Sequence, residues 1–552
     1  MEKEIITKYR SFPRLKNTER KWPEKLIEKA PVWCSVDLRD GNQALINPMN
    51  IDQKLRMFSL LVDIGFKEIE IGFPSASNIE FEFVRSLINK NIIPENVLPQ
   101  VLTQARTHLI KKTFESIEGT SKAIIHLYNS TSALQRRVVF GKTKNEIIEI
   151  AVTGTKLIKE LSQSTKTDIT FEYSPESFTG TEINFAVDIC ENVIEVWQPT
   201  STHKMIINLP ATVELSTPNI YADQIELFLK KIRNRNNIIL SLHTHNDRGT
   251  GIAATELGLM AGGERVEGTL FGNGERTGNV DIVTLALNMY TQGIDPGLDL
   301  SDLNRLIEIS DYCTDLPIGP RHPYAGELVF TAFSGSHQDA IKKGMNAQEG
   351  NVWAVPYLPI DPSDIGRSYE AIIRINSQSG KGGVAYIMES EFGCQLPKTM
   401  QAEFGSIIQN LSDKLGREIE PKEIWQEFNN EYLTSEDPIK FVDYSIASDS
   451  NDSSRMHGYL KIQINGEEKE LNGNGNGPID ALKDALSSIE LANFQLTHYS
   501  EHALGKGTDS TAIAYIQITN STGNQRYGAG VNPNIAKASA LALLSAVNRS
   551  IL

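Results

Sequence analysis

Eight short apolar runs alternate with helix-length amphipathic segments in the first 300 residues, and this alternation limits the possible folds more than any other feature. The runs begin at Val32, Glu68, Asn96, Lys122, Asp168, Met205, Asn237 and Arg265. Eight strands alternating with helices over about 250 residues are typical of a (β/α)8 barrel. A doubly wound open sheet is the alternative, but it requires a glycine fingerprint where this sequence reads DLRDGNQA. The sequence therefore predicts an α/β protein built on a TIM barrel.

The 552 residues are enough for three or four domains, and the pattern changes on both sides of the barrel. We predict an N-terminal arm over 1–30, the barrel over 31–300, helical linker subdomains that cover the active site over 301–435, and a last domain over 436–552. This last domain repeats one pattern, because two glycines and a proline at equal spacing precede a helix twice. The repeated residues are Gly473, Gly475, Pro478 and Gly528, Gly530, Pro533. We expect an α+β domain of two βββα halves, whose helix starts offer unpaired N–H groups to a carboxylate.

Composition excludes several classes of function. The formal net charge of -15 repels polyanions and argues against nucleic acid or an anionic membrane as a partner. No apolar run approaches the ~20 residues that a membrane-spanning helix needs, and the first ten residues are charged where a secretory signal is apolar. The four cysteines are far apart, without the spacing of a metal site or a disulfide framework. We expect a cytoplasmic protein.

The sharpest motif is His243-Thr244-His245 at the end of the seventh run. Residues i and i+2 of a strand point to the same side, so both imidazoles face the barrel mouth. Asp40 ends the first strand, which lies near the seventh in a closed barrel, and supplies the hard anion that a divalent cation requires beside two imidazoles. Arg39 places a cation where an oxyanion would develop, and the glycine-rich FGNGERTGN turn brings the amide oxygen of Asn279 towards the same point.

Seven motifs, in this order and followed by a two-fold C-terminal domain, resemble the 2-isopropylmalate synthases of the long bacterial and fungal type. They are DLRDGNQA, FEYSPESFTGTE, LPATVE, LHTHNDRGTG, GNGERTGN, GSHQDA and NSQSGKGG. DLRDG and HTHND are shared with a wider family of metal-dependent acyl-CoA Claisen enzymes and lyases, whereas LPATVELSTPN is typical of the long synthases. The resemblance covers nearly the whole chain.

The resemblance implies the condensation of acetyl-CoA with 3-methyl-2-oxobutanoate and water to (2S)-2-isopropylmalate and CoA, the committed step of leucine biosynthesis. It implies a homodimer in which the linker lies over the partner's barrel. It also implies a divalent metal, with magnesium favoured over manganese or zinc, and activation by a monovalent cation. The implied metal ligands are Asp40, His243 and His245, with Asn279 as a ligand or close neighbour.

The resemblance also assigns catalytic and substrate-binding residues. The catalytic group comprises Arg39, Glu176, His337 and Tyr369. Within it, His337 is the expected base for the acetyl methyl group, Glu176 assists it, and Tyr369 helps to place the thioester or its hydrolytic water. The substrate-binding group comprises His126, Ser174, Asn208 and Thr212, and Thr212 is expected to bind the carboxylate of the oxo acid.

The C-terminal domain is the region through which the resemblance implies inhibition by leucine. The segments 504–509 and 528–532 are expected to line the effector site. Its expected residues are Gly505, Asp509, Gly528, Gly530 and Asn532.

Two alternatives stay open. A citramalate or homocitrate synthase would use the same chemistry on another oxo acid. A pocket with Ser174, Asn208 and Pro210, and with no extra basic residue from their motifs, favours a branched apolar side chain over a second carboxylate. A catalytically silent metal-binding amino-acid sensor would have lost active-site residues, whereas the expected ligands and base are present.

Overall fold

The computed structural model describes residues 12–551 apart from 14, 18, 333, 370–380, 416–418, 434–436, 449–451, 453, 490–492 and 505–509. The chain divides into two compact units. The first comprises Met1–Val329 and Ile360–Ser368, and the second comprises Phe330–Pro359 and Tyr369–Leu552. The finer division into arm, barrel, linker and C-terminal domain stays a prediction.

In the first unit, eight parallel strands of the described chain close a barrel, with each strand beside the next and β1 beside β8. They are β1 (Val32–Ser35), β2 (Glu68–Gly72), β3 (Leu98–Gln104), β4 (Lys122–Ser130), β5 (Asp168–Glu176), β6 (Met205–Ala211), β7 (Ile238–Thr244) and β8 (Arg265–Gly268). The predicted TIM barrel is confirmed, and each predicted run contains a strand. The first run is shorter than expected: β1 ends at Ser35, and Asp40 lies in the single helical turn Asp37–Gly41 that follows.

Helices follow the strands and cover the outside of the barrel. They are α1 (Ile51–Asp63), α2 (Asn78–Asn89), α3 (Thr107–Ser116), α4 (Ala133–Gln135), α5 (Lys144–Ser164), α6 (Ile183–Trp197), α7 (Pro218–Lys231), α8 (Gly251–Met260), α9 (Ile282–Tyr290) and α10 (Leu303–Thr314). The start of α5 is set by a capping box, in which Thr143 accepts from the N–H of Glu146 and the Glu146 carboxylate accepts from the N–H of Thr143. None of the described helices is long and apolar enough to span a bilayer.

The second unit contains a helical part and two three-stranded antiparallel sheets. The helices are α11 (Gly335–Asn346), α12 (Lys381–Phe392), α13 (Lys398–Leu415) and α14 (Pro421–Phe428). One half follows as β9 (Ile439–Ser448), β10 (Met456–Ile464), β11 (Glu467–Gly475) and α15 (Pro478–Leu486), and the other as β12 (Phe494–Leu504), β13 (Thr511–Asn520), β14 (Gln525–Asn532) and α16 (Ile535–Ile551). The two predicted βββα halves are confirmed.

The repeated glycines lie in strands under the helices, and not in the turns before them. A Cβ on Gly528 would overlap the backbone of Ala542 and Ala546 in α16, and a Cβ on Gly473 would overlap Ala481 and Ala485 in α15. In each half the glycines let the helix backbone approach the strand closely. The repeated spacing is therefore explained by packing within each half.

Strand β13 is buried on both faces, because alternate residues contribute to two different cores. Ala514, Ile516 and Ile518 pack with α15, α16, β9 and β10 in one cluster. Ile513 and Tyr515 pack with α12, α13 and α14 in another. The core of the two βββα halves and the core of the preceding helices therefore share strand β13.

Candidate active site

Polar side chains from several strands meet at the carboxyl ends of the barrel strands, where the loops of this fold build a pocket. The pocket is lined by Arg39, Asp40, Gln43, Phe73, Leu102, His126, Tyr128, Ser174, Glu176, Asn208, Pro210, Thr212, His243, His245, Glu275 and Arg276. The structure brings together the predicted metal ligands Asp40, His243 and His245 and all four predicted substrate-binding residues. It also brings Arg39 and Glu176 to the same pocket.

Asp40, His243 and His245 are buried, and their ligand atoms lie within 4.8 Å of one another. The Oδ2 atom of Asp40 is 3.3 Å from Nε2 of His243 and 3.5 Å from Nε2 of His245. This Oδ2 atom is buried without a hydrogen bond. One carboxylate oxygen and two imidazole nitrogens that converge in this way form a donor set that suits a divalent cation.

The charges around the cluster keep Asp40 ionised. Burial alone would raise the pKa of Asp40, but the guanidinium of Arg39 and the two histidines outweigh it and hold the pKa well below its usual range. Burial acts against the charge on His243 as well, yet the nearby carboxylates of Asp40 and Glu267 raise its pKa to about 9 in the metal-free protein. Burial and the charge on His243 lower the pKa of His245 to about 4.

Asn279 follows β8 in the predicted glycine-rich turn and pairs with His245 through an isolated bridge. Its Nδ2 donates to the carbonyl of Asn273 at 3.1 Å, whereas its buried Oδ1 has no hydrogen-bond partner. An orphaned amide oxygen beside a candidate ligand fits a further contact to a metal or to its water. Its role as a ligand stays a prediction.

Arg39 links the metal cluster to the substrate side of the pocket. Its Nη1 is 2.8 Å from Oδ1 of Asp40, and its Nε donates to Glu70 on β2. Two carboxylates therefore fix the guanidinium at the pocket rim. Arg39 both orients Asp40 and presents a cation to the pocket.

Three of the four predicted substrate-binding residues are linked by hydrogen bonds, and Thr212 lies apart from them in the same pocket. The Nε2 atom of His126 is 2.7 Å from Oγ of Ser174, and Nδ2 of Asn208 donates to that same Oγ at 3.0 Å. Thr212 accepts from the N–H of Ser177 at 2.9 Å, which leaves its hydroxyl proton for another acceptor. Glu176 accepts from Ser130. The arrangement presents hydroxyl and amide groups to a small polar ligand.

Phe73, Leu102 and Pro210 give the pocket an apolar wall, and the motifs of Ser174, Asn208 and Pro210 add no basic residue to it. Arg276, from the glycine-rich turn, also lines the pocket. Its side chain is engaged elsewhere, because it donates to Asp247 at 2.7 Å and to the carbonyl of Thr212. Arg276 therefore balances a carboxylate of the protein itself.

His337 and Tyr369 belong to the second unit. His337 lies in α11, is exposed and stacks on Tyr357 with ring centroids 4.1 Å apart. Tyr369 is partly buried, its hydroxyl has no hydrogen-bond partner among the described residues, and burial raises its pKa. Their catalytic roles stay predictions.

Among the expected effector residues, Gly505 and Asp509 lie outside the described residues. Gly528 and Gly530 are buried under α16, and Asn532 accepts from the N–H of Asn534 at 3.0 Å. Asn534 in turn accepts from the N–H groups of Ala536 and Lys537. At the start of α16 the expectation of unpaired N–H groups is therefore wrong, because asparagine side chains already bind those of Ala536 and Lys537. At the start of α15, where Gly477 supplies no side-chain cap, it stays a prediction.

Sequence reasoning missed a layer of polar residues inside the barrel, directly beneath the pocket. It comprises Glu68, Glu70, Gln100, Glu172, Arg265 and Glu267. The signal in the sequence is a charged residue at alternate positions of otherwise apolar strands, as in EIEIG and RVEG. In a barrel strand such positions face inwards, where a charge needs a partner from another strand.

The barrel matches a known class of enzymes. Residues 30–309 match the family model described as HMGL-like, so the barrel is of the HMGL-like class. With the buried cluster of Asp40, His243 and His245, this match indicates a divalent-metal site. Residues 327–389 match the model "Alpha-isopropylmalate synthase, post-catalytic domain-like", and residues 418–551 match the model "LeuA allosteric (dimerisation) domain".

Curated relatives are similar over their full length. The chain is 55% identical to 2-isopropylmalate synthase of Clostridium acetobutylicum, covering 99% of this chain and 100% of the relative. It is 56% identical to 2-isopropylmalate synthase of Brucella suis, with 99% of each covered. A solved hydroxymethylglutaryl-CoA lyase of Pseudomonas aeruginosa is similar at 16% identity and a TM-score of 0.44, over 53% of this chain and 96% of that chain. The chain belongs to the 2-isopropylmalate synthase family.

Replacing His245 by alanine tests the metal site through stability. A metal that binds only the folded protein stabilises it by about 2.7 kcal/mol when its concentration is 100 times Kd. Saturating Mn²⁺ should therefore raise the melting temperature of the wild type, whereas the melting temperature of His245→Ala should be the same with and without Mn²⁺. The matched control is His203→Ala, an exposed histidine of the same unit, which should keep the full shift. An equal shift in His245→Ala would refute the assignment.

Proposed function

We propose that the protein condenses acetyl-CoA with 3-methyl-2-oxobutanoate and water to give (2S)-2-isopropylmalate and CoA, the committed step of leucine biosynthesis. The observation that carries the proposal is the convergence of Asp40, His243 and His245 beside a pocket with one apolar wall, in a chain of this family. The enzyme is accordingly an acyltransferase. A cytoplasmic location remains a prediction.

The metal would be held by Asp40, His243 and His245, and the orphaned oxygens of Asp40 and Asn279 support this donor set. We propose Mg²⁺ in preference to Mn²⁺ or Zn²⁺, as the resemblance implies. The carboxylate and the amide oxygen are hard ligands that suit Mg²⁺, whereas the two imidazoles also suit Zn²⁺. Activation by a monovalent cation also stays a prediction. A bound divalent cation polarises the keto group of an oxo acid as a Lewis acid.

The residues of the barrel would bind and orient the oxo acid. Thr212 has a hydroxyl proton to donate to its carboxylate, and Ser174 and Asn208 border the space left for its side chain. Arg39 supplies a fixed cation beside Asp40, where it would stabilise negative charge on the former keto oxygen. His126 orients Ser174 through the contact of Nε2 with Oγ.

The second reactant needs a base for its methyl proton. We assign this proton transfer to His337, assisted by Glu176, with Tyr369 placing the thioester or the hydrolytic water. An exposed imidazole in α11 and a carboxylate at the pocket rim have the chemistry required. In the proposed dimer, His337 serves the barrel of the partner subunit.

The apolar wall of Phe73, Leu102 and Pro210 favours a branched aliphatic oxo acid over 2-oxoglutarate, the dicarboxylate used in homocitrate synthesis. Release of CoA from acetyl-CoA should therefore be fastest, as kcat/KM, with 3-methyl-2-oxobutanoate. Pyruvate, which citramalate synthesis uses, should be slower by 10-fold or more, because it lacks two methyl groups and one such group in an apolar pocket changes binding by about 1–3 kcal/mol. 2-Oxoglutarate should be slower as well, because its second carboxylate would lose water against an apolar wall. Faster turnover of pyruvate or 2-oxoglutarate would favour the alternative synthases, and no turnover would favour the silent sensor.

Mixing inactive chains tests the shared site. Asp40→Ala and His337→Ala chains should each be inactive, but a hybrid dimer contains one site with both groups intact. Random mixing makes about half of the dimers hybrid, so CoA release should recover to about a quarter of the wild-type rate. The control is a mixture of Asp40→Ala and His245→Ala chains, which lose groups from the same barrel site and should complement far less. Equal recovery in both mixtures, or none in verified hybrids, would contradict transfer across the dimer.

We propose that leucine binds the two βββα halves and inhibits the enzyme. Support comes from the match of residues 418–551 to the LeuA allosteric (dimerisation) domain. The effector would act through a coupling free energy between separate sites, typically about 1–3 kcal/mol. Homodimerisation belongs to the same proposal.

Amide hydrogen exchange tests where leucine binds. L-Leucine should lower CoA release and slow amide exchange in residues 439–551, because binding orders the loops that surround it. D-Leucine at the same concentration is the control and should do neither. Slower exchange confined to the barrel strands would show that leucine competes at the pocket instead.

A further inference from the structure

Glu267 on β8 lies directly opposite His243 on β7 and contacts it. Oε2 of Glu267 is 2.8 Å from Nδ1 of His243, and the glutamate side chain has no exposed surface. The other ring nitrogen of His243, Nε2, is the atom that faces Asp40. Glu267 therefore contacts the metal cluster from the side away from the pocket.

The other hydrogen-bond neighbours of Glu267 are donors. Asn208 donates from Nδ2 to Oε2 at 3.0 Å, and Gln100 donates from Nε2 to Oε1 at 2.9 Å. Arg265 donates from Nη1 to Oε1 at 2.9 Å. Side chains from β3, β6, β7 and β8 thus hold the carboxylate in one orientation.

Arg265 holds Glu267 and its neighbours in place from the interior of the barrel. It is fully buried, with its Nε 2.6 Å from Glu68, its Nη1 2.8 Å from Ser241 and its Nη2 2.7 Å from the amide oxygen of Gln100. His126, Glu172 and Glu267 also cluster closely enough to hold a metal. However, the guanidinium already lies against both carboxylates, 3.5 Å from Glu172 and 2.9 Å from Glu267. The protein supplies the cation of this lower cluster itself.

We infer that Glu267, oriented by Arg265, is a positioning residue that keeps the proton of His243 on Nδ1 and so presents the lone pair of Nε2 to the divalent cation. The inference rests on the proposed metal site. A neutral imidazole carries one N–H, and an acceptor at Nδ1 selects the tautomer with an unprotonated Nε2. Such outer partners fix ring orientation and raise the basicity of a histidine ligand.

The variant Glu267→Gln tests the acceptor role with little change in shape. In the wild type, Gln100 and Arg265 both donate to Oε1 of Glu267. The amide oxygen of the new glutamine should therefore turn towards these two donors, and its NH₂ group should turn towards His243. The NH₂ donates, which favours an unprotonated Nδ1 and places the proton on Nε2, where the metal would bind. The affinity of the metal-free full chain for Mn²⁺, measured by calorimetry, should fall about 10- to 100-fold.

The matched control is Glu172→Gln. Glu172 is equally buried and also contacts Arg265, but the histidine that it contacts is His126 instead of a metal ligand. It lies close to Glu267 as well, but no contact joins it to His243 among the described residues. This variant should retain the wild-type Mn²⁺ affinity within a few-fold. Wild-type affinity in folded Glu267→Gln, or an equal loss in Glu172→Gln, would overturn the inference. No Mn²⁺ binding by the wild type would instead refute the proposed metal site.

A measurement on the wild type covers the case in which Glu267→Gln does not fold. In the Zn²⁺-loaded full chain labelled with ¹⁵N-histidine, His243, assigned from a His243→Gln spectrum, should carry its proton on Nδ1. A His243 resonance with the metal on Nδ1 and the proton on Nε2 would overturn the inference.

Discussion

The buried guanidinium of Arg265 is the interaction on which the inside of the barrel depends. It contacts Glu68, Ser241, Glu267 and Gln100, which come from four different strands. Moving a charge from water into a protein interior costs several kcal/mol unless it is paired and hydrogen-bonded. Here burial opposes the charge on Glu267, but Arg265 overcomes it and holds the pKa of the glutamate well below its usual range. The Arg265–Glu267 ion pair lies directly beneath the residues that line the pocket.

The polar layer inside the barrel, here the lower level, and the rim of the pocket above it differ in how their polar atoms are hydrogen-bonded. In the lower level, Gln100 and Arg265 use most of their hydrogen-bond donors on neighbouring side chains. At the rim, Asp40, His245 and Asn279 each keep a buried atom without a hydrogen bond. Buried polar atoms are nearly always satisfied in folded proteins. Glu172 is the exception in the lower level, because neither of its carboxylate oxygens has a hydrogen-bond partner among the described residues. The unsatisfied atoms of Asp40, His245 and Asn279 lie at the rim, where a bound ligand would satisfy them.

The barrel and the metal cluster were predictable from sequence, because both depend on short-range patterns. Strand runs can be recognised by apolar content, and the H-x-H spacing of His243 and His245 orients both rings. Arg265 and Glu267 were missed because a charge within an apolar run gives no indication of which distant strand pairs with it. The repeated glycines were misread for a related reason: the spacing of Gly528 and Gly530 is the same whether they serve a turn or a helix lying on the strand. The contacts of Gly528 with Ala542 and Ala546 decide between the two.

The double burial of β13 limits how the C-terminal halves can be altered. Ile513 and Tyr515 pack against α12, α13 and α14, so deleting residues 439–551 would remove one wall of the core that those helices need. A shortened chain would expose Phe404, Phe428 and Met388 to water and would become prone to aggregation. Under the proposed inhibition by leucine, a leucine-insensitive form of the protein is therefore expected to arise by point substitution in the halves and not by a premature stop codon.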